Sequence, residues 1–323
     1  MPPTAATTTL QVLASSSVPT RDHGGNTLDF REPVGDPGWF GPASVTWLVH
    51  ADLIAMTTGG MAALAWQALH PLILTALWDS ADQRDSLRHR IYRTALFIAT
   101  TTFGPSVAAQ AAVDRVRAIH AQVRGITPDG RPYAGDDPHL LTFIHITEVY
   151  CCVMAYDTLV RPMSMRERNS YVAETACVAL ALGAKDVAND WAELLAALQT
   201  YGPDMASGTR PLALLRLLHS MTCHPLSHAA TDRAMEKLQL ALGGQTKDIP
   251  MHHVMQAAST VLPDHVLALY GLTLDPQQTA AAKSALRAVV PTMRWALRDG
   301  VATQARRRTR VLEPSRPKSD SIP

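Results

Sequence analysis

The sequence predicts an all-α protein. Apolar residues make up 47% of the 323 residues but aromatic residues only 6%, and Ala, Leu and Met recur throughout. This composition is typical of packed helices and not of a β-sandwich. Segments with a helical apolar period alternate with short loops rich in Pro, Gly or Asp, and the sequence shows no internal repeat. We therefore expect one globular domain of about ten helices.

Breaks in the apolar pattern set the expected helix boundaries. The first pattern runs from about residue 42 to Leu69, where His70 precedes Pro71 and is pushed out of the α region. The helices expected after this break span, in chain order, residues 71–78, 82–102, 106–124, 138–159, 164–183, 188–200, 210–221, 229–242, 251–270 and 275–308. The last should have a kink at Pro291. Residues 126–138 contain Pro, Gly and Asp at a density that predicts an irregular loop.

Two irregular ends are expected to flank this helical body. Residues 1–40 are rich in Thr, Ser, Pro and Gly, which predicts a flexible arm, and residues 311–323 should form a disordered tail. The folded domain then spans residues 41–310. Four arginines near its end should form a solvated helix terminus. They are Arg306, Arg307, Arg308 and Arg310.

Charge and segment pattern exclude several protein classes. The net charge of +1 argues against nucleic-acid binding through phosphate neutralisation. No transmembrane segment is expected, because Gly59, Gly60 and other breaks interrupt the best apolar run well before the ~20 residues that a span requires. The N-terminus shows no secretion signal, and the cysteines lack paired spacing, so we expect buried, reduced thiols and a cytoplasmic location. The cysteines are Cys151, Cys152, Cys177 and Cys223.

One predicted helix carries a histidine between two arginines. At about 100° per residue, Arg117, His120 and Arg124 fall within about 60° of one another, with valines on the adjoining apolar flank. An imidazole at the edge of a core can ligate iron, and guanidiniums beside it can pair with carboxylates. The arrangement therefore suits a flat, apolar cofactor with acidic side arms.

Other histidines do not complete a metal site. The pairs His224 and His228, and His252 and His253, have no nearby Cys or acidic residue at the spacing of a zinc site. The Glu-x2-His pairs that build di-iron bundles are also missing from the sequence. Gly59-Gly60 is not part of a GxGxxG motif and is expected to permit close helix packing.

Several segments, in a fixed order, resemble one oxygenase family. They are VTWLVHADLIAMTTGGMAALAWQALHPLI, RIYRT, FGP, VRAIHAQVRG, DDPHLLTFIHIT and MSMRERNSYVAE. In this order they resemble the family of the bacterial rubber oxygenases (latex clearing proteins) and the fungal oxygenases of mycophenolic acid biosynthesis. The resemblance covers about residues 44 to 300 and is strongest between Trp47 and Glu174.

The resemblance implies a b-type haem inside an all-helical fold, which is globin-like in burying the cofactor. The family's R-x2-H-x3-R motif matches Arg117, His120 and Arg124, which makes His120 the proximal iron ligand. The family's W-x-H segment matches the surroundings of His145 and implies a role near the cofactor pocket. A buried histidine that bonds a carbonyl group is the open alternative for His145.

The family's R-x2-K/R-T segment, near the other side of the haem, matches Arg90, Arg93 and Thr94. In the rubber oxygenases this segment holds a lysine that can cap the iron, whereas this chain has Arg93. Arginine stays protonated and has no lone pair for iron, so the resemblance implies a site open to dioxygen or peroxide. The alternative is that Arg90 and Arg93 are surface charges.

Together these implications predict a haem b-dependent oxygenase that acts on a largely apolar small molecule. Dioxygen or peroxide would be the oxidant, and the missing export signal favours a biosynthetic intermediate over an extracellular polymer. The alternative class is a non-catalytic helical protein, with or without haem, that serves as a sensor or scaffold.

Overall fold

Helices dominate the regular structure. The structure, a computed structural model, describes residues 20–21, 27–78, 83–220, 222–223 and 249–277, separate positions between 279 and 291, and residues 301–309. The helices in this part of the chain are α1 (Val45–His50), α2 (Leu53–Gln67), α3 (Pro71–Trp78), α4 (Gln83–Phe103), α5 (Ser106–His120), α6 (Pro138–Leu159), α7 (Met165–Leu182), α8 (Trp191–Thr200), α9 (Thr209–Ser220), α10 (Met251–Ser259), α11 (Asp264–Leu269) and α12 (Val301–Thr309). The predicted all-α class is confirmed.

Short antiparallel strand pairs supplement the helices. They are β1 (Thr20–Arg21) with β2 (Thr27–Leu28), β3 (Arg124–Ile126) with β4 (Pro132–Ala134), and β5 (Thr222–Cys223) with β6 (Ile249–Pro250). The β3–β4 hairpin occupies the segment predicted to be irregular. Thr127 N donates to Arg131 O at 2.8 Å, and Gly130, with φ 85°, supplies the left-handed residue of the turn. Turn residues were therefore read correctly, but the pairing around them was missed.

Side-chain caps start the two helices at which the sequence predicts them. Ser164 Oγ accepts a hydrogen bond from Glu167 N, and the Glu167 carboxylate accepts one from Ser164 N at 2.9 Å, so a capping box starts α7. Gly183, with φ 109°, ends that helix. Pro138 is the first residue of α6, and Asp137 caps it by accepting a hydrogen bond from the backbone.

Three predicted helices are shorter or broken. The first pattern divides into α1 and α2 because Asp52 accepts a hydrogen bond from Ala55 N at 3.0 Å and caps a new helix. The helix predicted for residues 106–124 ends at His120. The helix predicted for residues 251–270 divides at Pro263, which precedes α11. The predicted helix 229–242, the chain that follows Pro291 and the predicted tail 311–323 lie outside the described residues.

The core is organised around two helix pairs. α2 and α6 pack so closely that a Cβ added at Gly59 would lie 2.8 Å from Cys152 Cα. This confirms the predicted packing role for Gly59. α4 and α5 form an antiparallel pair joined at Gly104-Pro105, and α1 and α7 contact both pairs.

Arg308 joins the described part of the N-terminal arm to the last helix. Its side chain is 1% exposed and donates to Asp36 O at 2.7 Å, Phe30 O at 3.0 Å and Gly104 O at 3.2 Å. The Asp36 carboxylate in turn accepts from Ser106 N at 2.7 Å, at the start of α5. The predicted solvated position is therefore wrong for Arg308, and residues 29–40 are held against the helical body by these bonds.

α6 bears on the membrane prediction. Among the described residues it is the single helix that is long and apolar enough to cross a membrane, while α2 and α3 qualify only as a pair bent by 106°. In the most apolar window of α6, 67% is buried inside the protein. Burial in the core accounts for that composition equally well, and the expected absence of a transmembrane segment is not confirmed.

Candidate functional site

The α4–α5 corner places Arg90 beside His120. Arg90 lies 13 residues before the end of α4 at Phe103, and His120 lies 14 residues after the start of α5 at Ser106. Because the two helices run antiparallel from the corner, residues at nearly equal distances from it lie opposite each other. The positive charge of Arg90 accordingly contributes to a lowered pKa of His120. The two motifs that the sequence singled out therefore meet in space.

His120 is a neutral imidazole with an unsatisfied nitrogen. Burial is the main cause of its lowered pKa; Arg90 lowers the pKa further, and Asp136 opposes the shift. Its Nδ1 is buried and has no hydrogen-bond partner in the described part of the chain. Buried polar atoms without partners are rare, and a neutral imidazole has a lone pair available for a metal. His120 can therefore act as a metal ligand.

The β3–β4 hairpin holds the end of α5 in place. Val123 N donates to His120 O at 3.0 Å, and Gly135 N donates to Val123 O at 2.8 Å. A Cβ at Gly135 would lie 2.9 Å from His120 O, so only glycine permits this approach. The hairpin thus fixes the backbone that carries the histidine.

The predicted three-residue stripe on α5 does not form. Arg124 lies in β3 beyond the end of the helix, where it is exposed and pairs with Asp136 at 2.8 Å. Its guanidinium also donates to Val123 O at 2.8 Å and to His120 O at 3.2 Å. Arg117 remains on α5 and is exposed. The helix ends earlier because the chain turns into the hairpin, which removes Arg124 from the face that bears His120.

Arg90, Arg93 and Thr94 occupy one face of α4, since they are spaced by three and four residues. Arg90 is half-buried, and burial is the main cause of its lowered pKa, to which Arg93 also contributes. Its Nη2 donates to Ala76 O at 3.4 Å. Arg93 and Thr94 are exposed. The surface-charge alternative is thus wrong for Arg90, because its guanidinium is largely covered by protein.

α6 presents two polar side chains to an enclosed space. Burial lowers the pKa of His145 to about 4 and raises the pKa of Glu148 to about 7. Both side chains nevertheless keep part of their accessible surface. A group that is desolvated but incompletely covered borders an interior space. The structure describes no hydrogen bond from His145 to a carbonyl group, which was the alternative to a pocket role.

A polar chain joins three helices near Glu148. His50 on α1 contacts Thr102 Oγ1 on α4 through Nδ1 and Tyr171 Oη on α7 through Nε2, each at 2.7 Å. The Tyr171 hydroxyl also has a side-chain hydrogen bond with Cys152 on α6. These residues are far apart in sequence and belong to no local motif. Sequence reasoning missed them, together with Asp136.

A family model described as ER-bound oxygenase mpaB/B'/Rubber oxygenase, catalytic domain, matches residues 47–295. The chain belongs to this oxygenase family. The matched region contains α1 to α11 and every predicted site residue. Comparison with curated proteins and with solved structures gave no match.

Within the described residues, this oxygenase domain has no group of three or more His, Cys, Asp or Glu side chains that could hold a metal ion. A metal bound in that region would need most of its ligands from another molecule, such as a porphyrin. The side chains of the two sequence-derived histidine pairs lie outside the described residues.

The described cysteines are free thiols. Cys151 and Cys152 are buried as predicted, whereas Cys177 is exposed, contrary to the prediction. Its position explains the difference, since Cys177 faces outward on α7 between buried turns of the helix. The side chain of Cys223 is not among those described.

Proposed function

We propose that the chain is a haem b-dependent oxygenase that oxidises a largely apolar small organic molecule with dioxygen or peroxide. Membership of the oxygenase family supports the reaction class. The single observation that carries the cofactor is His120, a neutral imidazole with a buried, unpartnered nitrogen. A b-type haem needs an axial base from the protein and brings the other four iron ligands itself.

The residues around His120 fit this cofactor. His120 would be the axial ligand, held by the hairpin behind it. Haem supplies the oxidative chemistry when bound, and the protein supplies orientation and exclusion of water. Arg117 on α5 remains a proposed partner for the acidic side arms, and Arg124 could take the same role only by releasing Asp136.

α4 would provide the donors on the reactive side. Arg90 is placed to contact the bound group because it lies beside His120 and is half-buried. Arg93 and Thr94, within one turn of Arg90, would donate hydrogen bonds to the oxidant or to a substrate carbonyl. A guanidinium remains a donor at all physiological pH values, so Arg93 would leave the sixth iron position free.

An apolar groove next to Arg90 supports an apolar substrate. It lies between α3, α4 and α9, and Arg90 is its one polar lining residue. Its apolar lining residues are Leu74, Leu77, Trp78, Leu87, Leu214 and Leu217. We further propose that the substrate is an intracellular biosynthetic intermediate.

The visible spectrum of freshly purified protein tests the proposal. We expect a Soret band with one haem per chain, and we expect His120→Ala to lose stoichiometric haem while most helicity remains. The matched control is His139→Ala, since His139 is exposed on α6 and should be dispensable for the cofactor. A wild-type protein without a Soret band would instead favour the haem-free sensor or scaffold. If His120→Ala keeps full haem with an unchanged Soret position, the ligand assignment is wrong and His145 becomes the candidate.

A further inference from the structure

Glu148 is an interior carboxyl group without a counter-charge. It lies on α6, one turn beyond His145, and the described residues provide it with no hydrogen bond and no ion pair. An unpaired carboxylate inside a protein is costly, so such groups are usually paired, protonated or used. Glu148 also keeps accessible surface toward the enclosed space, where a bound molecule could reach it.

The groups around Glu148 do not change charge near neutral pH. On α6, burial holds the pKa of His145 at about 4 and raises the pKa values of Cys151 and Cys152. On α7, burial raises the pKa of Tyr171 well above its usual value, and on α1 burial lowers the pKa of His50 to about 3. Neither α2 nor α4 contributes a titratable group to this cluster, since Gly59 and Thr102 are its contacts on those helices. Any change of charge here between about pH 5 and 9 therefore belongs to Glu148.

α4 links this cluster to His120. Thr102 bonds His50 at one end of the helix, and Arg90 lies beside His120 near the other end. The two α4 residues are separated by about 18 Å along the axis, at about 1.5 Å per residue. The face between them keeps accessible surface over its whole length. Its residues, at spacings of four and three, are Ile91, Ala95 and Ile98. An uncovered face thus runs from His120 toward the cluster that contains Glu148.

We propose that Glu148 is the proton-exchanging carboxyl of the active site and takes the proton of an X–H group on a molecule bound in the interior space. The carboxylate forms an O–H bond, the X–H bond breaks, and its electron pair stays on the bound molecule. The reverse step returns the proton, so the exchange needs no oxidant. The inference rests on the proposed oxygenase function for its site of action. The substrate class it implies is an apolar molecule with one weakly acidic O–H, N–H or activated C–H group.

The polar chain gives the carboxyl a fixed setting. Thr102, His50 and Tyr171 are bonded to one another, and Tyr171 is bonded to Cys152, one helical turn after Glu148. A general base works best when its pKa lies near the working pH and its geometry is fixed. Both conditions hold for Glu148.

Infrared titration of the full-length protein provides a test that does not depend on haem. We expect a protonated-carboxyl band at about pH 6 that disappears by about pH 8, because a raised pKa moves this ionisation to neutral pH. Glu148→Gln, which is nearly isosteric, should remove the band. The control Glu193→Gln, on the exposed side of α8, should leave it unchanged. A wild-type spectrum without this band, or a band that persists in Glu148→Gln, would overturn the proposal.

Hydrogen cyanide is the second probe, used on the ferric haem-loaded protein. It enters as a neutral acid and binds iron as the anion, so its proton must pass to a base. We expect the binding rate to rise through one ionisation near neutral pH, and Glu148→Gln to lower it about 100-fold and to flatten the pH profile. Glu193→Gln should behave as wild type. An unchanged rate and profile in Glu148→Gln would overturn the proposal. A protein that purifies without haem would refute the proposed function instead, while the infrared titration would still decide whether Glu148 titrates.

Discussion

The two helix pairs of the core differ in how much of their chemistry is visible in the sequence. The α4–α5 pair carries its polar residues in compact motifs, RIYRT and VRAIHAQVRG, which lie on adjacent turns. The α2–α6 pair owes its properties to Gly59 against Cys152 and to Glu148 in an enclosed space. Local spacing predicts the first pair, whereas the second depends on which distant helices meet. Interior groups with unusual properties are therefore easiest to miss where the sequence looks uniformly apolar.

The largest effect should come from breaking the α2–α6 contact. Gly59→Ala places a methyl group against the Cys152 backbone, which cannot move aside as a side chain would. Overpacking of this kind should lower the free energy of unfolding by about 3 kcal/mol. Gly60→Ala is the matched control, because its Cβ meets no atom within 4 Å. That variant should be neutral or more stable by up to about 1 kcal/mol, through helix propensity. Urea unfolding measures both, and equal losses would contradict the close-packing assignment of Gly59.

Much of the fold was predictable because its signals are local. The helix starts at Pro138 and Ser164, and the break at Pro71, each follow from side chains within a few residues. The early end of α5 was not predictable, since the hairpin that causes it pairs Arg124 with Ala134 across an apparent loop. The buried position of Arg308 was missed for a similar reason.

The candidate site divides in the same way. His120 and Arg90 were found from motif spacing, and the antiparallel corner brings them together. The polar chain depends on contacts between His50 and Thr102, 52 residues apart, and between His50 and Tyr171, 121 residues apart. No pattern in a single sequence indicates such pairs. Their chemistry becomes visible only when the helices are assembled.

A second prediction uses pH to separate the two regions. The pKa of Glu148 is raised from 4.5 to about 7 in the folded protein, so the unfolded chain releases this proton first as pH rises. Stability from this group is full below about pH 4.5 and is lost as pH rises through about 7. After allowance for partial exposure, the loss should be roughly 2 kcal/mol. Glu148→Gln should abolish it and be more stable than wild type at pH 8 by that amount.

Urea midpoints at about pH 6 and 8 measure the effect as the difference between variant and wild type. The comparison is made at each pH because His50 and His145, with lowered pKa values, lose stability in the opposite direction, as pH falls. Glu193→Gln serves again as the control. A variant that loses as much stability as wild type between the two pH values would show that Glu148 ionises normally.

The third prediction concerns the reactive side of the α4–α5 pair. If Arg93 donates a hydrogen bond to a ligand of the ferric haem-loaded protein, Arg93→Ala should weaken fluoride binding about tenfold, the equivalent of about 1.4 kcal/mol. Haem content should stay at one per chain. Arg93→Lys tests the departure from the rubber oxygenases, because a lysine that loses its proton by desolvation could cap the iron and give a low-spin spectrum. Should Arg93→Ala lose the haem instead, its guanidinium holds an acidic side arm of the cofactor.

The smallest effect is expected at the exposed end of the same pair. The Arg124 and Asp136 side chains are 50% and 45% exposed, and a surface ion pair of this kind contributes about 0.5 kcal/mol or less. Arg124→Gln should therefore change the free energy of unfolding by no more than that. Haem content should also remain, because this guanidinium already has its partners outside the helix face that bears His120. Arg117→Gln is the matched substitution on α5, where no such partner competes, so it should weaken haem retention more than Arg124→Gln does. The measurement is the transfer rate of haem to an excess of apomyoglobin for both variants. Faster transfer from Arg124→Gln than from Arg117→Gln would mean that Arg124 leaves Asp136 when haem binds, and that the motif works as a unit despite the early end of the helix.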